Sequence, residues 1–181
     1  MLNRHVIWPL AMRHGFFCGI SNLALLLTVL SAGGSIYNPA MAIGWLITYL
    51  FLHRFMKYLR ENEGEGFLTF KHAFFAGFAM SFFAFVLYGM ALFLIGAFVF
   101  PGLLTDARNE LLRNAEALEG ILPVSNVDDM YEAYERISLG QLAYTESLSK
   151  FLGGLFLSLV AALILRKKQP PFHDDQPNSV A

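Results

Sequence analysis

"ENEGEGFLTFKHAFFAGF", residues 61–78, sets alternating glutamates and three glycines against the start of a phenylalanine-rich run. It admits three readings: a phosphate-cradling loop, a metal site, or the turn where a chain re-enters a membrane. A dinucleotide fingerprint needs G-x-G-x-x-G between a strand and a helix, and a P-loop closes on G-K-[ST]. Gly64 and Gly66 are instead followed by Phe67, Leu68 and Thr69, with no strand pattern before them. Calcium loops need oxygen ligands at fixed positions beyond the alternating Glu61, Glu63 and Glu65. The glycines therefore read as a helix break, with Phe67 and Phe70 at the interface and Lys71 and His72 among headgroups. On this reading the apolar blocks on either side become membrane spans.

Composition agrees. The 181 residues are 56% hydrophobic and 15% charged, with 18 phenylalanines, and the apolar residues come in long blocks. That is a membrane composition. Nucleic acid is set aside, because the basic residues lie in small groups beside apolar blocks and form no basic face. The lone Cys18 permits neither an intramolecular disulfide nor a paired-cysteine metal motif.

A bilayer-crossing helix needs about 20 mostly apolar residues. Four stretches are assigned, at about 14–32, 39–59, 70–100 and 147–166, the second opening on Asn38 and Pro39 as N-cap and first helical residue. The expected fold is an all-α integral membrane four-helix bundle in one domain, with a cytoplasmic tail over 167–181. Residues 1–33 also show the order of a cleaved signal peptide, although their apolar core is long for one. Basic residues set orientation. Arg4, Arg13, Arg54, Lys57, Arg60, Lys71, Arg166, Lys167 and Lys168 fall on one side, which predicts a multi-pass protein of the bacterial inner membrane with both termini cytoplasmic.

Residues 101–146 are too long for a plain connection. Leu104, Ala107, Leu111, Ala115, Leu118 and Leu122 recur three or four apart, predicting a helix ended by Gly120 and Pro123. A second helix is predicted from Ser125 or Asn126, with acids in its first turns. The insert is thus a helical hairpin on the extracytoplasmic side. It has two readings, packing on itself and on the third span, or offering Asp128, Asp129, Tyr131, Glu132, Tyr134 and Glu135 to a partner.

Catalytic chemistry finds no support: no H-x-x-x-H, H-E-x-x-H or G-x-S-x-G occurs, and no cofactor or metal is expected. His14, His53 and His72 share one predicted interface and form a weak metal or proton site only if they converge. No ionisable residue falls in the middle of an assigned span, which speaks against a proton-coupled carrier. Asn22 is the interior polar residue with the strongest case for an interhelical clamp or solute contact. Gly15 and Gly19, Gly77 and Ser81, and Gly154 and Ser158 repeat a four-residue spacing of small residues that lets helices approach closely, in a bundle or a dimer.

The turn "GEGFLTFKHAFFAGF", the third span, a helical insert ahead of "TESLSKFLGGLFLSLVAALILRKK" and the short tail resemble a bacterial membrane family common in Bacteroidota. It is the domain of unknown function numbered four-one-nine-nine, and the resemblance runs over roughly Met12 to Lys168. It implies four spans and brings no activity or catalytic residue. The expected function is a non-enzymatic accessory or scaffold subunit in contact with membrane lipid, binding a protein partner or itself through the insert. The alternative is a small transporter or channel-like protein for an uncharged or weakly polar solute, using Asn22, Thr48, Tyr49, Ser81 and Tyr88.

Overall fold

The computed structural model describes residues 4–118 and 124–167. These form α1 (Arg4–Ser31), α2 (Ile43–Tyr58), α3 (Phe70–Leu94), α4 (Leu103–Leu118), α5 (Val124–Glu135) and α6 (Leu139–Leu165). The expected stops at Gly120 and Pro123, the stripe residue Leu122 and the tail from residue 168 lie outside the described residues.

Helix α1 begins well ahead of the expected span. Ile7 and Ala11 are fully buried, and Trp8 packs on Phe75 and Phe83 at ring separations of 6.3 and 5.1 Å. Burial of this first stretch carries the helix back to Arg4, so Arg13 and His14 stand within it. The second helical segment opens as expected: Asn38 accepts a hydrogen bond from the Ala40 amide ahead of a 3-10 turn at Pro39–Ala42. It closes in a wide π turn at Leu59–Glu63.

The 64–69 stretch is a turn. Glu65 and Gly66 take positive φ of 51° and 84°, a region glycine enters without steric cost. Leu68 and Lys167 then exchange two backbone hydrogen bonds of 3.0 and 2.9 Å, tying the start of α3 to the end of α6. Because Trp8 also reaches Phe75, both described chain ends lie at this end of the bundle, together with Lys71 and Arg166. This is the basic end of the bundle, and the opposite one is the hairpin end.

Helix α6 starts at Leu139, behind a capping box in which Ser138 and Gln141 satisfy each other's backbone amides. Ser138→Ala removes one of those bonds and is expected to lower stability by about 1 kcal/mol, read as a drop in the thermal unfolding midpoint of the purified protein.

Helix α3 is central, with its largest interfaces against α1 and α6, while α2 bridges α1 and α6. Small residues set these contacts. A Cβ on Gly15 would lie 2.6 Å from the Met80 carbonyl oxygen, and one on Gly19 would lie 2.8 Å from that of Ala84. Gly77 faces Ser158, and Gly154 faces Ser81. The small-residue faces are therefore spent within the chain, between α1 and α3 and between α3 and α6. Large apolar residues such as Phe98 and Phe156 point outward instead, an arrangement suited to lipid contact.

Three helical segments, His5–Ser31, Phe70–Val99 and Leu139–Leu165, are long and apolar enough to cross a membrane. Helix α2 has 16 residues and is shorter than these.

Of the insert, α4 seals the hairpin end of the bundle. Leu103 and Ala107 are buried, the Arg108 guanidinium donates to the Ile137 carbonyl, and Ser35 donates to the Glu110 carboxylate. Helix α5 packs chiefly on α4. Ser125 and Asn126, expected as its caps, lie inside it.

Candidate functional site

The polar side chains inside the bundle fall into two groups. In the first, Asn22 on α1 donates to the Cys18 carbonyl at 3.0 Å and to Thr48 Oγ1 on α2 at 3.4 Å. Thr48 in turn donates to the Gly44 carbonyl at 2.8 Å. Gly44 makes the room, since a Cβ there would lie 2.6 Å from Asn22 Oδ1. Asn22 is thus an interhelical clamp by geometry.

The second group is a seam where α3 and α6 meet. Ser158, donating to the Gly154 carbonyl at 2.7 Å, lies two turns from Lys150, which is buried. The Lys150 ammonium sits 5.2 Å from the Tyr88 ring centroid and 6.0 Å from that of Trp45. Ring faces carry negative charge and attract a desolvated cation. Glu146 lies one helical turn earlier and interacts with the lysine's charge. The hydroxyls of Ser81 and Tyr88 are buried without a hydrogen-bond partner among the described residues. Lys150 stands about 22 Å of helix rise from Leu165, within a depth that a hydrocarbon core of about 30 Å covers. The expectation that no ionisable residue falls in the middle of a span is thereby corrected: the capping box starts α6 at Leu139, which puts Lys150 near the middle of the apolar segment Leu139–Leu165.

At the hairpin end, Tyr37 lies beside this seam. Burial pushes its phenol up to about 12, with the Glu146 and Glu110 carboxylates and Tyr134 adding to the effect. The six residues assigned as a partner surface therefore divide. Tyr134 turns toward the bundle and is half-buried, as is Tyr131, whereas Asp129, Glu132 and Glu135 are exposed. Glu132 is paired with Arg136 at 2.5 Å. The side chain of Asp128 lies outside the described residues.

At the basic end, His14 donates through Nδ1 to the Leu10 carbonyl at 2.9 Å and stacks on Phe55 at 4.6 Å. His14 and His53 line one cleft between α1 and α2, while His72 turns to Thr69 at the start of α3, 2.9 Å away. The three do not converge, and among the described residues no three histidine, cysteine or acidic side chains gather as a metal site.

Lys150, Glu146 and Tyr37 are the residues that reading the chain alone misses. The available signal was Ser138 with Gln141, whose S-x-x-Q spacing marks a helix start. No curated protein and no solved structure matches the chain. A family model, Protein of unknown function (DUF4199), matches residues 13–167, and a match over that much of the sequence places the chain in this family.

Proposed function

We propose that the chain is a non-catalytic accessory protein of the bacterial inner membrane, both termini cytoplasmic, that holds a protein partner or a second copy through its outer hairpin. The observation behind this reading is the division of the hairpin. Helix α4 is tied to the bundle by buried Leu103 and Ala107 and by the Ser35–Glu110 hydrogen bond, while α5 leans chiefly on α4 and turns Asp129, Glu132 and Glu135 to solvent. An anchored helix carrying a second, acidic one suits presentation to a basic partner surface. Four crossings fit this arrangement. The helical stretch 39–63 runs from the hairpin-end turn to the basic-end turn, about 37 Å at helical rise.

Deleting the hairpin would expose the bundle surface on which Leu103 and Ala107 are buried, so charge reversal is the cleaner test. The tagged protein is extracted from its native membrane with Asp129, Glu132 and Glu135 intact or all changed to lysine. The expected result is a stoichiometric partner, or self-association, lost in the triple variant. Identical complexes from both forms would sink the reading.

A second reading is favoured by Lys150 alone: carriage of a small solute along the seam of Ser81, Tyr88, Glu146 and Lys150. Ionisable groups at membrane depth commonly mark a substrate or proton path. Flux into proteoliposomes no greater than into empty vesicles, across a broad solute panel, counts against it.

A further inference from the structure

We propose that the cleft between α1 and α2 at the basic end binds the headgroup of one anionic glycerophospholipid from the surrounding leaflet. The cleft measures about 800 Å³ on the α2 side and is lined there by His14, His53, Arg54 and Lys57. A second lobe of about 260 Å³ reaches Arg13 and Phe17. The lobes share His14 and Tyr58, whose rings are 6.0 Å apart, so a single headgroup can touch both.

Charge selects an anion. Arg13, Arg54 and Lys57 face one acid, Glu61, which lies 4.0 Å from Lys57 and 3.4 Å from Arg60. Neither Arg13 nor Arg54 has an acidic partner among the described residues. Both guanidinium forks are thus available, and their geometry matches two phosphate oxygens. His14 is held from behind by Leu10 and Phe55, and this fixes the ring at the junction of the lobes.

The apolar wall selects a lipid over a free anion. Leu50 and Phe51 line the same cleft. Leu50, Leu46 and Phe17 are exposed along the adjoining helix faces, so a bound phosphate would have acyl chains running down an apolar surface toward the bilayer. Basic pockets between spanning helices recognise anionic headgroups by this combination.

The test is native mass spectrometry of the full chain released from micelles containing phosphatidylglycerol or phosphatidylcholine. One phosphatidylglycerol per chain is the expected adduct, with phosphatidylcholine retained far less. The Arg13→Gln/Arg54→Gln variant should lower phosphatidylglycerol retention by about thirtyfold, the loss expected for two basic residues beside an anionic leaflet. Lys71→Gln/Arg166→Gln, which removes equal charge at the same end but outside the cleft, should retain the lipid. Both arginines are exposed and have no acidic partner among the described residues, and the charge-state distribution in the same spectra reports whether the fold persists. Equal retention of the two lipids, or equal loss in both double variants, overturns the proposal. Displacement of the lipid by millimolar inorganic phosphate would reassign the site to a free anion.

Discussion

Valine at Gly15 and Gly19 together is expected to unfold the bundle or to leave it without its α1–α3 contact. Both added side chains would be driven into backbone: the Met80 carbonyl oxygen is 2.6 Å from the first new Cβ, and the Ala84 carbonyl oxygen is 2.8 Å from the second. A flexible side chain could swing aside, but a carbonyl within a helix moves only with the helix. Overpacking typically costs about 1–3 kcal/mol per site, and two sites one turn apart on one interface bring the loss to roughly 2–6 kcal/mol if they add. Gly77→Ala should be milder than the valine pair: it adds one Cβ at one site, and although Ser158 Cβ at 2.6 Å moves only with α6, Ser158 Oγ and the Met56 methyl can swing aside. Gly140→Ala is the control, since nothing lies within 4 Å of its new Cβ and alanine is the better helix former. Titrating each form from mild detergent into denaturing detergent, with helicity as the readout, measures the order. If the valine pair unfolds at the same point as Gly140→Ala, helix approach at these glycines does not hold α1 to α3.

That prediction rests on residues legible without coordinates, because close packing of membrane helices leaves a mark of small residues at a four-residue spacing. The turn at Gly64–Gly66 and the cap at Asn38 were legible for a similar reason, each being fixed by local backbone chemistry. Helix limits were harder. Residues 5–11 and 139–146 are helical because they pack on neighbours, Trp8 against Phe75 and Phe83, and Leu142 and Ala143 in the core, and hydropathy windows do not register that packing. The seam was hidden as well. Lys150 stood near the start of the fourth assigned span, and its meeting with Trp45 and Tyr88 depends on three helices far apart in the chain. The split of α5 into half-buried tyrosines and exposed acids followed tertiary contact in the same way.

The other large effect is expected at Lys150, and its sign depends on the replacement. Lys150→Glu sets a second acid one turn from Glu146 and removes the cation held over Tyr88 and Trp45. An uncompensated charge buried in this way costs about 3–5 kcal/mol, so this variant should unfold far earlier than the parent. Lys150→Met keeps the length of the side chain and removes its charge. Removing one partner of a buried ion pair is costly where the other charge stays buried and unpaired, but Glu146 is partly exposed and can turn toward water at the hairpin end, so the methionine strands no charge and packs an apolar chain against Tyr88 and Trp45. The methionine variant should therefore be at least as stable as the parent in the same detergent titration. If it is, folding does not explain a lysine at this depth, and the variant becomes the probe for solute or proton movement in vesicles because its fold is intact. If Lys150→Met falls as far as Lys150→Glu, the ammonium is holding α2 and α3 to α6 through its two ring contacts. Carriage along the seam then loses the observation that favours it, and the hairpin remains as the better supported seat of function.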